Sequence, residues 1–238
     1  MSISPQVDLK KFNRIVFFTG AGISAECGIP TYRGKGGFWS AYDYEEYACQ
    51  RAFDTNPEKV WDFHEQRREF VAAREPALGH RIIADIENKK PSTKVITQNI
   101  DGMHQKAGSL NVIELHGSLW RIRCEREGLV ENNYDIPLKS RLCPCGDYYR
   151  PDIVWFGDPL DPDVIKSAIN AVLSCDLLIA IGTSATVYPA ADLPILAMQR
   201  KITTLEINTE RTPLSHLYNY SYQDTAGHVL QAMWDQRI

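Results

Sequence analysis

The sequence predicts an α/β fold with a doubly wound parallel sheet, and three observations support this prediction. Short apolar segments alternate with segments of helical periodicity, which is typical of a parallel sheet covered by helices. Residues 176–181 are almost continuously apolar, as expected for a strand that is buried on both faces. The 238 residues are 44% hydrophobic and 24% charged, a composition that suits a folded chain with a sizeable core.

The strands and helices of this sheet follow from local patterns. Strands are predicted where short, β-rich apolar runs occur, at residues 14–19, 94–97, 112–115, 176–181 and 203–207. Helices are predicted where apolar residues recur with helical spacing, at residues 163–174, 190–200 and 225–235.

Two segments interrupt the alternation. Residues 32–74 are rich in aromatic and charged side chains, and their second half, residues 57–74, has an amphipathic helical pattern. Residues 121–150 are polar and contain three of the six cysteines. We therefore expect a small module formed by 32–74 and 121–150, inserted into a larger domain formed by 1–31, 75–120 and 151–238.

Composition and charge limit the classes of function. A net charge of −4 argues against a nucleic-acid partner bound through bulk positive charge. The apolar runs are too short to span a bilayer, and the first 14 residues contain no apolar stretch of signal-peptide length. Six cysteines do not form a disulfide framework in a chain of this length, so we expect reduced thiols, a cytoplasmic location and no membrane partner. The oligomeric state is left open.

A glycine-rich turn directly follows the first predicted strand. Residues 20–25 match the G-x-G-x-x-G/A pattern of a dinucleotide phosphate loop. Gly20 permits a tight turn, Gly22 lets a pyrophosphate approach the backbone, and Ala25 allows close helix packing. The same pattern also suits a plain strand-to-helix turn. The acidic residue expected about 20 residues later falls near Asp43 or Glu45, in an aromatic-rich segment, which weakens the interpretation as an ordinary dehydrogenase.

Six ordered motifs resemble those of the sirtuins, the NAD-dependent protein-lysine deacylases. The first motif extends the glycine-rich turn to Arg33, with Cys27, Tyr32 and later Asp158 as small departures from the family pattern. The motifs occupy residues 20–33, 97–101, 116–117, 154–157, 182–184 and 206–208. The resemblance implies a Rossmann-like domain carrying a small module with a helical part and a zinc-ribbon-like part. It also implies acyl transfer from lysine side chains of proteins to the ADP-ribose part of NAD, which yields nicotinamide and O-acyl-ADP-ribose.

Residue roles follow from this resemblance and from side-chain chemistry. His116 is the expected catalytic base, because a histidine titrates near neutrality and this one ends a predicted strand. The expected cofactor-binding residues are Gly20, Ala21, Gly22, Ile23, Arg33, Gln98, Asn99, Ile100, Asp101, Gly182, Thr183, Ser184, Asn208 and, on a short match, Ala226. Without the motif context, residues 99–101 equally suit an Asx-type turn.

Two segments are expected to hold an extended substrate peptide between them. By resemblance these are Val154, Trp155, Phe156 and Gly157 on one side, and Val187 and Tyr188 on the other. Trp155 and Phe156 equally suit a purely structural place in the core.

Residues 47–68 indicate which acyl group the enzyme removes. The sirtuin subgroup that removes succinyl and malonyl groups carries a small alanine and a Tyr-x-x-Arg pair; here Ala48 matches the alanine, and the pair reads His64 and Arg67. Arg67 is expected to bind an acyl carboxylate in bidentate fashion, and His64 to add a hydrogen bond and, as the pH falls from about 8 to 6, a second positive charge. The alternative is a polar helix face with Arg67 and Arg68 in solvent.

Cys124, Cys143 and Cys145 offer three thiols to a metal, but a structural zinc site normally has four ligands. A fourth ligand from Glu127 or water, and a ribbon held by packing without metal, both remain open. Two alternatives to the deacylase also remain: a protein ADP-ribosyltransferase on the same fold, and a non-catalytic sensor of NAD or acyl-lysine.

Overall fold

A computed structural model describes residues 7–31, 43–184 and 186–234. Within these ranges the chain forms β-strands β1 (Ile15–Thr19), β2 (Lys94–Thr97), β3 (Val112–Glu114), β4 (Gly117–Cys124), β5 (Leu129–Asn132), β6 (Arg150–Ile153), β7 (Leu177–Ile181), β8 (Thr203–Asn208) and β9 (Tyr220–Gln223). The helices are α1 (Ala21–Ala25), α2 (Tyr44–Tyr47), α3 (Gln50–Thr55), α4 (Pro57–Ala72), α5 (Leu78–Lys89), α6 (Met103–Lys106), α7 (Pro162–Ser174), α8 (Asp192–Gln199) and α9 (Ala226–Trp234).

Six strands form a parallel sheet in the order β3-β2-β1-β7-β8-β9. The α/β fold class and all five predicted strands are confirmed, with ends that shift by at most one residue. The strand order reverses between β1 and β7, and the crevice at the carboxyl ends of such a pair is where open α/β sheets bind ligands.

Local sequence signals explain where the longer helices begin. Asn56 caps α4 by accepting a hydrogen bond from the backbone N–H of Lys59 at 3.0 Å, and Pro57 occupies the first turn. Asp161 caps α7 in the same way, with its side chain accepting from two backbone N–H groups. Both helices therefore start within a residue of their predicted positions.

The two faces of the parallel sheet bury separate apolar layers. Along β1, Ile15 and Phe17 pack with α5 and α9 in one cluster, whereas Val16 and Phe18 pack with α7 and α8 in another. All five residues of β1 are buried, as a central strand covered on both faces requires.

A third apolar cluster lies outside these layers. It joins Trp61 and Val71 of α4 to Leu119 and Ile122 of β4 and to Trp155. Here β4, β5 and β6 form an antiparallel three-stranded sheet in the order β5-β4-β6. Strands β4 and β6 cross the predicted domain boundaries at residues 120/121 and 150/151, and the division of the chain stays a prediction.

No helix in the described part of the chain has both the length and the apolar character needed to cross a membrane.

The turns after β1 and β7 touch backbone to backbone. The N–H of Gly22 donates to the carbonyl oxygen of Gly182 at 2.8 Å. A Cβ added to Gly22 would lie 2.5 Å from the Cα of Gly182, and one added to Gly182 would lie 2.5 Å from the backbone nitrogen of Ile23. Gly182 also has a φ of +58°, which favours glycine. The two turns can adopt this contact only if both positions lack a side chain.

Replacing Gly182 by alanine is expected to destabilise the protein beyond the cost of the backbone conformation alone. The matched control is Gly128→Ala, because Gly128 has a φ of +62° and nothing within 4 Å of an added Cβ. The control should lose about 1–2 kcal/mol of unfolding free energy, and Gly182→Ala clearly more, as measured by urea unfolding. Equal losses in the two variants would contradict the steric role of the contact.

Candidate active site

The glycine-rich turn after β1 opens α1 at the crevice of the sheet. Gly20 precedes the helix, and its N–H donates to the carbonyl oxygen of Ile181 at 2.9 Å. Ala21 lines a cavity of about 380 Å³, whereas the side chain of Ile23 is fully buried in the core. Ile23 therefore faces the predicted cofactor site only through its backbone.

The loop after β2 is tied to both glycine turns. The side chain of Gln98 donates to the Thr183 hydroxyl at 2.9 Å, and the Asn99 amide donates to the carbonyl oxygen of Gly20 at 3.0 Å. The Asn99 amide also donates to the Ser24 hydroxyl at 3.1 Å. Its buried Oδ1 has no hydrogen-bond partner among the described residues, and Asn99 lines the cavity. This loop therefore offers the cavity an unused acceptor that a carboxamide could satisfy.

Asp101 is buried beside this loop in a network of donors. Its carboxylate accepts from the Ser24 hydroxyl at 2.7 Å and from the backbone N–H of Met103 at 2.9 Å. Burial nevertheless raises the pKa of Asp101 above its ordinary value. The Trp120 indole donates to the Asp101 carbonyl oxygen at 2.7 Å, which fixes the backbone of the loop. By contrast, the side chain of Ile100 belongs to the third apolar cluster.

His116 lies where the parallel sheet meets the antiparallel one, directly before β4. Its Nδ1 lies 2.9 Å from the carbonyl oxygen of Gln98, and only a protonated Nδ1 can donate to a carbonyl. The neutral ring therefore presents Nε2 as its basic nitrogen. Burial lowers the pKa of His116 below its ordinary value, so the ring is in the basic form at neutral pH. Among the other histidines, His80 and His104 are buried with ring centroids 4.8 Å apart, whereas His216 and His228 are exposed.

A backbone ladder links His116 to the predicted peptide-binding segment. The N–H of Val154 donates to the His116 carbonyl oxygen at 3.0 Å, and the N–H of Phe156 donates to that of Ala48 at 3.1 Å. Phe156 is 42% exposed and contacts the Tyr44 ring, whereas Trp155 is buried in the third cluster. A purely structural place in the core therefore fits the buried Trp155 but does not fit the exposed Phe156.

The remaining peptide-binding candidates lie on the surface. Tyr188 is exposed and Val187 is half-buried. Gly157 has a φ of +92° with nothing within 4 Å of an added Cβ.

Arg67 lines the same cavity as Asn99 and Asp101. Its guanidinium carbon lies 5.9 Å from the centre of the Phe63 ring, and the side chain is half-buried. Arg68, the next residue, is fully buried and donates to the carbonyl oxygens of Leu119 and Asn133. A solvent-exposed Arg68, as the alternative supposed, is therefore wrong.

His64 is not among the residues that line this cavity. It is fully buried between the rings of Phe63 and Trp155, at centroid distances of 5.2 and 6.0 Å. Burial, and then the charge of Arg67, lower the pKa of His64 well below its ordinary value. The expectation of a second positive charge between pH 8 and 6 is therefore wrong. Ala48, at 4% exposure, belongs to the same apolar cluster as Trp155.

The predicted adenosine-binding residues form a second set of contacts at the ends of β7 and β8. The Asn208 amide, at the end of β8, donates to the Thr183 carbonyl oxygen at 3.1 Å. The hydroxyls of Ser184 and Thr186 lie 2.8 Å apart on the exposed loop that follows.

The last predicted cofactor residue, Ala226, begins α9. Its N–H donates to a carboxylate oxygen of Glu26 at 2.7 Å, so α9 is attached directly to the end of the glycine-rich segment. The predicted cofactor residue Arg33 lies outside the described residues.

Ser24 is the site residue that the sequence analysis did not single out. It lies in the glycine-rich motif and bridges Asn99 to Asp101. The sequence could have identified Ser24 from its spacing, because a residue four positions after Gly20 lies one helical turn further along α1 and its side chain points back toward Gly20.

The thiols of Cys124, Cys143 and Cys145 lie within 4.8 Å of one another. Those of Cys124 and Cys145 are 3.5 Å apart. Glu127 is exposed and is not part of this group.

A parallel sheet with a glycine turn at its switch point, polar side chains at three strand ends and one basic histidine defines a dinucleotide-dependent enzyme. The chain belongs to the Sir2 family, whose model matches residues 20–189. This agrees with the sirtuin resemblance of the six motifs.

Similar proteins cover almost the whole chain. The NAD-dependent protein deacylase 1 of Caldanaerobacter subterraneus subsp. tengcongensis is 44% identical over 90% of each chain. The mitochondrial NAD-dependent protein deacylase sirtuin-5 of Canis lupus familiaris is 36% identical over 92% of this chain and 80% of its own. A solved Sir2 homologue–NAD complex is 40% identical, with a TM-score of 0.88 over 98% of this chain and 93% of its own.

The lowered pKa of His64 predicts a specific pH dependence of stability. The unfolded chain takes up a proton at His64 near pH 6.5, but the folded protein does so only at lower pH. The unfolding free energy should therefore fall as the pH drops below about 6.5, by up to about 1.4 kcal/mol per pH unit for this group. Urea unfolding of the wild type and His64→Gln at pH 7.5 and 5.5 measures it. The variant should lose less stability on acidification, and an identical loss would show that His64 is protonated in the folded protein.

Proposed function

We propose that the protein is an NAD-dependent protein-lysine deacylase. The observation that carries the proposal is the convergence of three strand ends on one crevice: the turn after β1, the Gln98–Asn99 loop after β2, and His116 after β3. The family and its deacylase members support the same activity.

The residues of the crevice fit NAD. The missing side chains of Gly20 and Gly22 serve the contact with the turn after β7, and we infer that a pyrophosphate lies at the start of α1, which this turn opens. The unused Oδ1 of Asn99 suits the amide of a nicotinamide. We infer that Asn208 and Ser184, which lie at and after strand ends, contact the adenosine half. When bound, NAD would supply a ribose carbon from which nicotinamide leaves and a ribose hydroxyl that takes up the acyl group.

The chain's own residues orient this reaction and move its proton. Gln98 positions a ribose with its side chain while its carbonyl holds His116 in one tautomer. Nε2 of His116 is then the base that accepts a proton from a hydroxyl group presented in the crevice. Asp101, held by Ser24, shapes the nicotinamide end of the cavity.

Acylated lysines of proteins are the proposed substrates. Val154, whose N–H donates to the His116 carbonyl oxygen, and Phe156 lie on a segment next to His116. We infer that this segment forms one side of a cleft for an extended peptide and that Val187 and Tyr188 form the other. We infer that the acyl group meets Ala48 and Arg67, and that acidic acyl groups such as succinyl and malonyl are accepted along with acetyl. Because His64 is buried and neutral, Arg67 is the one described residue lining the cavity that supplies a positive charge.

The domain division stated from the sequence is part of this proposal. It is supported by the separate apolar clusters of the parallel sheet and of α4 with the antiparallel sheet. The cytoplasmic location stays a prediction from the sequence.

Replacing His116 by alanine should reduce deacylation roughly 100- to 10,000-fold, because a positioned general base is lost. The control is His228→Ala, which removes an exposed histidine paired with Asp224 on α9. Release of nicotinamide from NAD with an acetyl-lysine peptide, followed by mass spectrometry, measures the rate. In the wild type, activity should persist below pH 6.5 and fall only as His116 is protonated. Label from NAD found on protein instead of peptide deacylation would favour the ADP-ribosyltransferase.

Replacing Arg67 by methionine should reduce desuccinylation more than deacetylation. A bidentate contact between guanidinium and carboxylate contributes about 1.5–3 kcal/mol when it is dry, and Arg67 is only half-buried, so about a tenfold selective loss is expected. The control is Gln66→Met, which changes a neighbouring side chain on α4 that lines the same cavity. Equal losses on succinyl- and acetyl-peptides would make Arg67 structural.

A further inference from the structure

The segment from Cys124 to Arg150, called the ribbon below, contains an incomplete set of metal ligands. Cys124, Cys143 and Cys145 converge, and no histidine, aspartate or glutamate of the described residues completes their group. A closed structural zinc site has four protein ligands. Three thiolates instead leave one coordination position to solvent or to an added ligand, as in sites where the metal exchanges readily.

A different set of contacts holds the ribbon against α4. Arg141 donates to Asp62 at 2.8 Å and to Glu65 at 2.6 Å, and also bonds Glu58. These three carboxylates lie on one face of α4, since they are four and three residues apart. Arg141 is 21% exposed and Glu65 18%, so this part of the network is shielded from solvent.

Further contacts extend the attachment on both sides of Arg141. The Tyr148 hydroxyl donates to Glu58 at 2.7 Å, and the indole of the fully buried Trp61 donates to the Tyr149 carbonyl oxygen at 2.6 Å. On the other side, the N–H of Leu138 donates to Glu65 at 3.3 Å. Hydrogen-bonding groups along the ribbon thus pair with one face of α4, and none of these contacts involves a thiol.

We propose that this ribbon is fastened to α4 by Arg141 and its carboxylates, and that the three thiols form a separate, open and exchangeable site for a thiophilic divalent cation. The two parts are independent: the attachment persists without metal, and the metal keeps a free coordination position. The proposal does not depend on the deacylase activity.

The attachment is tested by amide hydrogen exchange in the ribbon. The compared proteins are the wild type, Arg141→Met and Lys139→Met, all with metal removed by a chelator under reducing conditions. Lys139 is the matched control, because it lies two residues away, is 84% exposed and forms one ion pair with Asp135. Arg141→Met should raise exchange in the ribbon roughly 5- to 30-fold, whereas Lys139→Met should not. Cys143→Ser, which removes one thiol without a chelator, should also retain wild-type protection.

The metal site is tested with Co²⁺ as the probe. The metal-free protein should bind no more than one equivalent, with thiolate-to-cobalt absorption that is absent in Cys143→Ser. Added imidazole should change the visible spectrum, because it enters the open position.

Any of three results would overturn the proposal. Loss of ribbon protection when the chelator removes metal from the wild type, together with equal exchange in the metal-free wild type and metal-free Arg141→Met, would make the metal the fastener. A cobalt spectrum that imidazole leaves unchanged would show a complete ligand set, and absence of cobalt binding would show that there is no metal site.

Discussion

The arrangement of the crevice depends on one contact between two stretches of backbone. Gly22 and Gly182 approach so closely that neither position has room for a side chain. This contact holds the turn after β1 against the turn after β7, where the strand order reverses. The loop after β2 is then built onto both turns, through Asn99 to Gly20 and through Gln98 to Thr183. The polar groups at the ends of β1, β2 and β7 are thus held in fixed positions relative to one another.

A buried polar network completes this arrangement at a cost to stability. Burying the Asp101 carboxylate is unfavourable, and its raised pKa reflects that cost. Ser24 and the Met103 N–H offset part of it, and Trp120 fixes the loop from the other side. Oδ1 of Asn99 is left without a partner within the described chain, which is a feature more readily explained by a ligand than by stability.

The parallel sheet could be predicted from sequence because its strands are buried on both faces and read as apolar runs. The antiparallel strands and the edge strand β9 of the parallel sheet could not: all four residues of β5 are exposed, and β9 alternates half-buried tyrosines with exposed polar residues. Helical spacing correctly placed His64 and Arg67 on α4. It could not tell that His64 packs between two aromatic rings while Arg67 reaches the cavity, since this depends on the position of Trp155, far away in the chain.

The bond that sets the tautomer of His116 comes from a main-chain carbonyl, that of Gln98. Substitution at position 98 can remove the amide that contacts Thr183, but every amino acid would still carry that carbonyl. The orientation of the His116 ring therefore depends on the course of the main chain and does not depend on which side chain stands at position 98. Under the proposed function, the side chains proposed to contact the ribose can vary during divergence while the nitrogen proposed to accept the proton stays where it is. Proton transfer and cofactor affinity, although the proposal assigns a part of both to Gln98, can then evolve separately.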